Sequence, residues 1–439
     1  MPRTRQYAQS REHVYIGRQE YFSRLDAYAA ADETQPLAII GESGSGKSAL
    51  LANWVVRYRQ AHPDALVFQH YIGATPASAD WVAMIRRILG EFKKWFGFTQ
   101  EVPDNPNALR SAFPKWLQAA ASQGTVILVL DALNQLDDRD GAPDLVWLPP
   151  IMPVNVRLIV SALPGRSLDE IQRRNWPTLK VEPLRAAERR TLIAEYLTQY
   201  AKNVNNERVE RIAAAPQSAN PLYLRVLLNE LRLVRTHEEL EERIGDYLKA
   251  DSPYTLYEKV LARWEQDYQG DSGLVGNTLS LLWAARHGLA ESEILGALGR
   301  NGQPLPRAAW SPLFLAMADA LVAREGLLTF AHDFLRTAAR NVYLPTASQQ
   351  RQAHIRLAEY FESQPVGPRQ TDEMLWQLAQ ASDWKRLHDL LTDHIFFSEA
   401  LGSRKGEIGA APHAGRTGIG PRHHPQRPLH RPRCGKRHV

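Results

Sequence analysis

The sequence predicts an α/β fold: a parallel sheet with helices on both faces, followed by an all-α lid, a winged-helix-like domain and the start of an α-helical repeat. Three observations carry this. Gly41-Glu42-Ser43-Gly44-Ser45-Gly46-Lys47-Ser48 matches G-x-x-x-x-G-K-[ST] and sits between the apolar run Leu37 to Ile40 and a helical segment opening near Ala49. Up to Leu184, short apolar runs rich in β-branched residues alternate with amphipathic stretches, the pattern of a parallel sheet covered on both faces. Beyond Leu184 the pattern is helical, interrupted by one hairpin signal at Glu325-Gly326.

The loop has the chemistry to hold phosphates. Its glycines let the backbone curl without Cβ clashes so that successive N–H groups point inward. Lys47 brings a positive charge to the β- and γ-phosphates, the Ser48 hydroxyl is a Mg²⁺ ligand, and a helix N-terminus follows from Ala49. The sheet is therefore expected to be that of a P-loop NTPase. ATP or ADP and Mg²⁺ are the expected ligands, held by Gly41, Ser43, Gly44, Ser45, Gly46, Lys47, Ser48 and Ala49. Thr125 to Asp131 is a buried-strand run ending in a carboxylate, the Walker B pattern. At the carboxyl end of a central strand Asp131 can hold a Mg²⁺-bound water beside the loop.

Composition narrows the class. The chain has 439 residues, 44% hydrophobic and 23% charged, as in a soluble protein of several domains. No apolar run reaches the roughly 18 residues of a membrane helix, and Met1 to Arg11 lacks the apolar centre of a signal peptide, so a cytoplasmic location and no membrane partner are expected. Cys434 is the only cysteine, which excludes a disulfide framework within the chain. Nine Lys/Arg and one acid give residues 401–439 a charge of +8, leaving −3 of the total +5 for the body. A general nucleic-acid-binding surface is not supported, and DNA is not expected as a partner.

Taken in order, Val14 to Glu20 reads as a short extended segment turning at Gly17, followed by a helix with Tyr21, Phe22, Leu25 and Tyr28 on one face. After the loop, Ala49 to Gln60 is helical and Ala65 to Ile72 a strand. The helices Ala79 to Phe96 and Asn107 to Ser122 carry Trp81, Phe92, Trp95, Phe113 and Trp116 as core filling. Val156 to Ser161 is a further strand, with Ser161 and Arg166 as candidate phosphate readers at its end. Leu179 to Leu184 is the last strand of the sheet, and Ala186 to Tyr200 the helix that leaves it. Helices then follow at Glu207 to Ala214, Leu222 to Val234 and Glu238 to Leu248. Ser280 to Arg286, Glu291 to Leu298 and Pro312 to Met317, followed by the hairpin 320–330, give a winged-helix outline. A helix runs from Ala331 to Tyr343, and helices at Gln350 to Glu362 and Met374 to Asp393 open a repeat-like region. The expected domains are an N-terminal extension at 1–13, the ATPase core at 14–203, the lid at 204–270, the winged element at 271–345, the repeat start at 346–398 and a disordered basic tail at 399–439.

Several of these segments, between Val14 and Asp393, together resemble the STAND/NACHT branch of the AAA+-like P-loop ATPases. The nearest likeness is the nephrocystin and telomerase-associated-protein type found in bacteria. The resemblance implies that Gly17 and Arg18, in an apolar-Gly-Arg-x-x-Glu segment, lie against the adenine. It implies that Pro221, in Asn220-Pro221-Leu222, contacts the base from the lid, and that His332, in Ala331-His332-Asp333, reaches the β-phosphate of ADP and latches a closed state. Asp333 is equally explained as an acid at a helix N-terminus. One departure matters for chemistry. The family strand runs into Asp-Gly/Ala-x-Asp-Glu, whereas this chain has Asp131-Ala132-Leu133-Asn134-Gln135. Asn134 and Gln135 cannot take a proton as a carboxylate does, but an amide can orient water. With Lys47 and Asp131 as the other catalytic candidates, slow hydrolysis is expected, with Asp137 or Asp138 as a substitute base.

The implied function is an ATP/ADP conformational switch that controls self-association in the ATP state, triggered by a protein acting on repeats of the tetratricopeptide kind, of which barely one unit is expected here. Only a dozen or so residues precede Val14, so no effector domain is expected on that side. The tail lacks aromatics and periodicity. It is read as disordered, as basic and nucleic-acid-directed, or as out-of-frame translation, and His413, His423, His424, His430, His438 and Cys434 are too irregularly spaced for a metal site. Two alternatives stand beside the switch: an origin-recognition-like ATPase acting on DNA, and a scaffold in which nucleotide is structural.

Overall fold

The computed structural model describes residues 18–199, 205–234, 236–268 and 273–394, with 396 and 398. Gly17, the N-terminal extension and the basic tail with its histidines and Cys434 lie outside the described residues.

The chain begins with α1 (Gln19–Ala30), β1 (Leu37–Ile40), α2 (Lys47–Ala61), β2 (Leu66–Tyr71), α3 (Trp81–Phe96), α4 (Pro106–Ala121), β3 (Val126–Asp131), β4 (Val156–Ser161), α5 (Arg166–Arg173) and β5 (Thr178–Lys180). The five strands form one parallel sheet in the order β2-β3-β4-β1-β5. Side chains alternate across it. Ile39, Ile127, Val129 and Ile159 join Leu25 of α1 and Leu50, Trp54 and Val55 of α2 on one face. Ala38, Leu128, Leu130 and Leu158 join Ile85 and Phe92 of α3 and Phe113 and Leu117 of α4 on the other. Burial on both faces explains why β3 from Val126 to Leu130 and β4 from Leu158 to Val160 read as unbroken apolar runs rather than alternating ones. Trp95 departs from the expected core role: it is 50% exposed near the end of α3, while Trp81, Phe92, Phe113 and Trp116 are buried.

The strand order positions the site. β4 lies between β1 and β3, so the loop after β1, the end of β4 and the end of β3 sit side by side at the carboxyl edge, where open α/β sheets bind ligands. The 439-residue sequence contains all three segments, but nothing in it states that they are neighbours.

The second half comprises α6 (Ala186–Gln199), α7 (Asn206–Ala214), α8 (Pro221–Leu231), α9 (His237–Tyr247) and α10 (Pro253–Asp267), then α11 (Leu274–Ala284), β6 (Leu289–Ala290), α12 (Glu291–Ala297), α13 (Arg307–Met317), β7 (Leu321–Arg324) and β8 (Leu327–Phe330), and finally α14 (Asp333–Tyr343), α15 (Ala347–Glu362), α16 (Pro368–Gln380) and α17 (Trp384–Thr392). One continuous apolar cluster runs through it from Leu184 to Phe396. It includes Ile193 and Leu197 of α6, so this helix packs with the helical half. β6, β8 and β7 form a small antiparallel sheet after α11, and with α12 and α13 this is the helix-strand-helix-helix-hairpin order of a winged helix. The hairpin turns through Glu325 at φ 53° and Gly326 at φ 86°, the pair of positive φ values that a type I′ turn requires.

Several elements differ from expectation: α5 (Arg166–Arg173) was not foreseen, β5 ends at Lys180 rather than Leu184, and α11 begins at Leu274, six residues before the expected Ser280. α10 was not foreseen, although Ser252 and Thr255 form a capping box around Pro253 at its first turn. α13 begins five residues before Pro312, which the sequence presents as a helix start. The single helix expected over Met374 to Asp393 is two: Ser382 takes a left-handed φ of 54°, and Asp383 then caps α17 by accepting from Arg386 N. Among the described residues, no helix is long and apolar enough to cross a membrane.

Candidate nucleotide-binding site

The phosphate loop follows directly from β1. Gly41, Gly44 and Gly46 have φ of 148°, 77° and 92°, values that disfavour any side chain. Space excludes one as well: a Cβ on Gly41 would lie 2.8 Å from Val181 O, and one on Gly44 2.9 Å from Asn220 Oδ1. α2 opens at Lys47, which brings the unpaired first-turn N–H groups of a 15-residue helix to the loop. Ser48 and Ala49 occupy that first turn and are half-buried.

Lys47 is buried, and its ammonium donates to Gly41 O and Glu42 O, each at 2.8 Å. Burial lowers its pKa to about 8, against the opposing pull of Asp131 and Glu42. Asp131, at the end of β3, is buried and accepts from Ser161 Oγ at 2.5 Å. Ser45 Oγ is buried with no hydrogen-bond partner. A curled loop closed to side chains, an unpartnered hydroxyl within it and an ammonium held only by carbonyls fit a phosphate group. Ser48 and Asp131 carry oxygen donors of the kind that a magnesium ion takes.

Two further groups brace the loop. Arg18, buried, donates to Ser45 O at 3.2 Å and to Glu182 O at 2.7 Å, so it ties the loop to the segment after β5. From the lid, Asn220 Nδ2 donates to Ser43 O at 3.2 Å, Leu222 N donates to Gly44 O at 3.3 Å, and Pro221 Cγ faces Gly46. Asn220 Oδ1 also caps α8 by accepting from Leu222 N and Tyr223 N. The sequence motif directs attention to Pro221, whereas the tie to the loop runs through Asn220. Its signal was the capping residue immediately before a first-turn proline.

Beyond Asp131, Ala132 is left-handed and Leu133–Gln135 forms a short 3₁₀ turn. Asn134 Oδ1 accepts from Leu163 N at 3.3 Å. Gln135 packs on Gly73 in the loop after β2, where a Cβ would lie 3.0 Å from Gln135 Cβ. The carbonyl of Gly73 accepts from Arg324 of β7, so the winged hairpin touches the core beside Gln135. Neither Gly73 nor Arg324 carries a sequence signal for this contact. Arg166 pairs with Asp138 at 2.7 Å and Asp144 at 2.5 Å, and Asp138 is correspondingly engaged. His332 is half-buried at the N-terminus of α14, where its carbonyl accepts from Leu335 N at 3.2 Å.

The parallel sheet and the curled loop after its first strand together form a P-loop fold. Residues 14–160 match the family model described as the AAA ATPase domain. The whole fold is similar to that of a signal transduction ATPase with numerous domains, a STAND protein with a tetratricopeptide repeat sensor from Pyrococcus horikoshii. The TM-score is 0.50 at 14% identity, covering 88% of this chain and 51% of that one. Among curated proteins, a TPR repeat-containing protein of Dictyostelium discoideum is 28% identical over 453 residues, covering 88% of this chain and 27% of its own length. Human nephrocystin-3 is 26% identical over 407 residues, covering 89% and 30%. The chain thus spans under a third of the length of these relatives.

Proposed function

We propose that the chain is an ATP/ADP-controlled conformational switch with slow hydrolysis. The observation that carries this is the direct tie between α8 and the phosphate loop through Asn220 and Leu222. A helix bonded to the backbone that would surround the phosphates is placed to respond to what occupies that loop. In this reading residues 14–203 are the core, 204–270 its lid, 271–345 the winged element and 346–398 the start of a repeat region that receives a protein trigger. ADP holds lid and winged element on the core, supported by Arg324 on Gly73 and by the Arg232–Asp319 pair joining α8 to the winged element. ATP together with the trigger releases them and permits self-association in the cytoplasm.

Lys47 and the loop amides would hold the phosphates, and Ser48 and Asp131 would hold Mg²⁺, whose role is to neutralise charge on phosphate oxygens. Arg18 keeps the loop curled from behind, and Pro221 and His332 would close on the nucleotide from the lid and the winged element. Gly17 would adjoin the base. Asn134 and Gln135 orient water without accepting its proton, which sets the slow rate.

Titration with a fluorescent ADP analogue, mant-ADP, tests the reading. Wild type should bind saturably, Lys47→Ala should bind about 30-fold more weakly through loss of a charged hydrogen bond worth about 2 kcal/mol, and duplex DNA should change neither. Equal binding by Lys47→Ala would overturn the site, and DNA binding with a salt slope of several would favour a DNA-handling ATPase instead.

A further inference from the structure

The last residue of β4 makes contacts that the switch reading leaves unused. Ser161 is buried, and the strand order sets it between the phosphate loop and Asp131. Its hydroxyl donates to Asp131 Oδ1 at 2.5 Å and accepts from Ala132 N at 2.8 Å. A serine hydroxyl has one hydrogen to give. Here that hydrogen is committed to the carboxylate, so it is not available to a phosphate oxygen. The accepted bond matters too. Ala132 holds a left-handed conformation, φ 66° and ψ 56°, that costs a residue with a Cβ about 1 kcal/mol or more. Ser161 satisfies the N–H exposed by that turn, and the same turn launches Asn134 and Gln135. Two residues beyond Ser161, Leu163 N reaches back to Asn134.

We propose that Ser161 is a positioning residue for the magnesium site, fixing the carboxylate of Asp131 through Oδ1 and the turn behind it through Ala132. Asp131 Oδ2 would then be the oxygen offered to a bound magnesium ion, with Ser161 acting through the carboxylate rather than as a ligand itself. The assignment rests on the nucleotide-switch reading and replaces a phosphate-reading role for this serine. The two can be separated by measurement, because a positioning residue acts on metal dependence and leaves metal-free nucleotide binding alone.

The test is a Mg²⁺ titration of mant-ADP affinity in wild type, Ser161→Ala, Ser161→Thr and Ser161→Val, with thermal melts of each. In Ser161→Ala the affinity without metal should stay within about twofold of wild type, while the Mg²⁺ needed for half-maximal enhancement should rise about tenfold, as for other residues that orient metal ligands. Threonine, which keeps the hydroxyl, should restore the wild-type response, and valine, of the same shape without it, should not. This pair decides the matter even if the alanine variant melts early. Unchanged Mg²⁺ dependence in alanine and valine, or equal loss in threonine and valine, would overturn the proposal. Absence of mant-ADP binding by wild type would overturn the switch reading and this assignment with it.

Discussion

Lys47 has to satisfy two demands that conflict. In the proposed site it must be charged to hold phosphate, yet it is buried, and burial lowers its pKa to about 8. The charged form binds, so nucleotide affinity should be full below pH 8 and fall as pH rises through that value, where an ordinary lysine would titrate only above 10. Mant-ADP affinity from pH 6.5 to 9.5 should therefore weaken progressively above pH 8, and a flat profile over that range would show that the nucleotide site does not use this ammonium. The sign for stability is opposite: the cost of keeping the buried charge falls as pH rises from 8 towards 10.5. The amides make a second residue-scale prediction. Gln135→Glu restores a proton acceptor at the end of the Walker B turn and should raise single-turnover hydrolysis by about 10²-fold, with little change in ADP affinity. Among these residues, Lys47, Asp131 and the amide pair were legible because each is a side-chain type at a fixed offset from a motif. The pairing of Asp131 with Ser161 was not, since it depends on β4 lying next to β3, and register between strands 30 residues apart leaves no local trace.

At the scale of elements, α8 and the β7–β8 hairpin are the moving parts of the proposed switch. Asn220→Ala removes both the cap of α8 and the tie to Ser43, so it should cost about 1 kcal/mol of stability by thermal melting and weaken ADP binding further than the cap alone explains. An unaltered ADP affinity beside the lost stability would reduce Asn220 to a cap. Arg324→Ala should weaken ADP binding several-fold without touching the phosphate loop, because it frees the hairpin from Gly73. The hairpin itself was legible from two residues, Glu325-Gly326, whose positive φ values suit the I′ turn. The break between α16 and α17 was not. Leu378, Ala381 and Leu387 keep an amphipathic rhythm across it, and periodicity does not register a single left-handed residue such as Ser382. Pro312 misled in the other direction: a proline near a helix start marks a boundary only when the preceding residues lack helical hydrogen bonds, and here Arg307 to Ser311 are helical.

For the whole molecule, the proposal is a closed assembly of an ATPase sheet, a helical lid and a winged element, held together by contacts that converge on the phosphate loop and on the turn after Asp131. The α/β order and the helical second half could be read from the spacing of apolar runs, because burial on both faces of a sheet and on one face of a helix leaves different periods. The convergence could not be read, because Gly73, Arg324 and Asn220 meet the site only through tertiary placement. Sedimentation with ADP should show the smaller species, and a non-hydrolysable ATP analogue together with the trigger the larger one. The most direct test of the central claim is single-turnover ATP hydrolysis with enzyme in excess and Mg²⁺ present. A slow switch predicts a rate well below about 1 per second, and a rate near the 10 per second common among enzymes would contradict it.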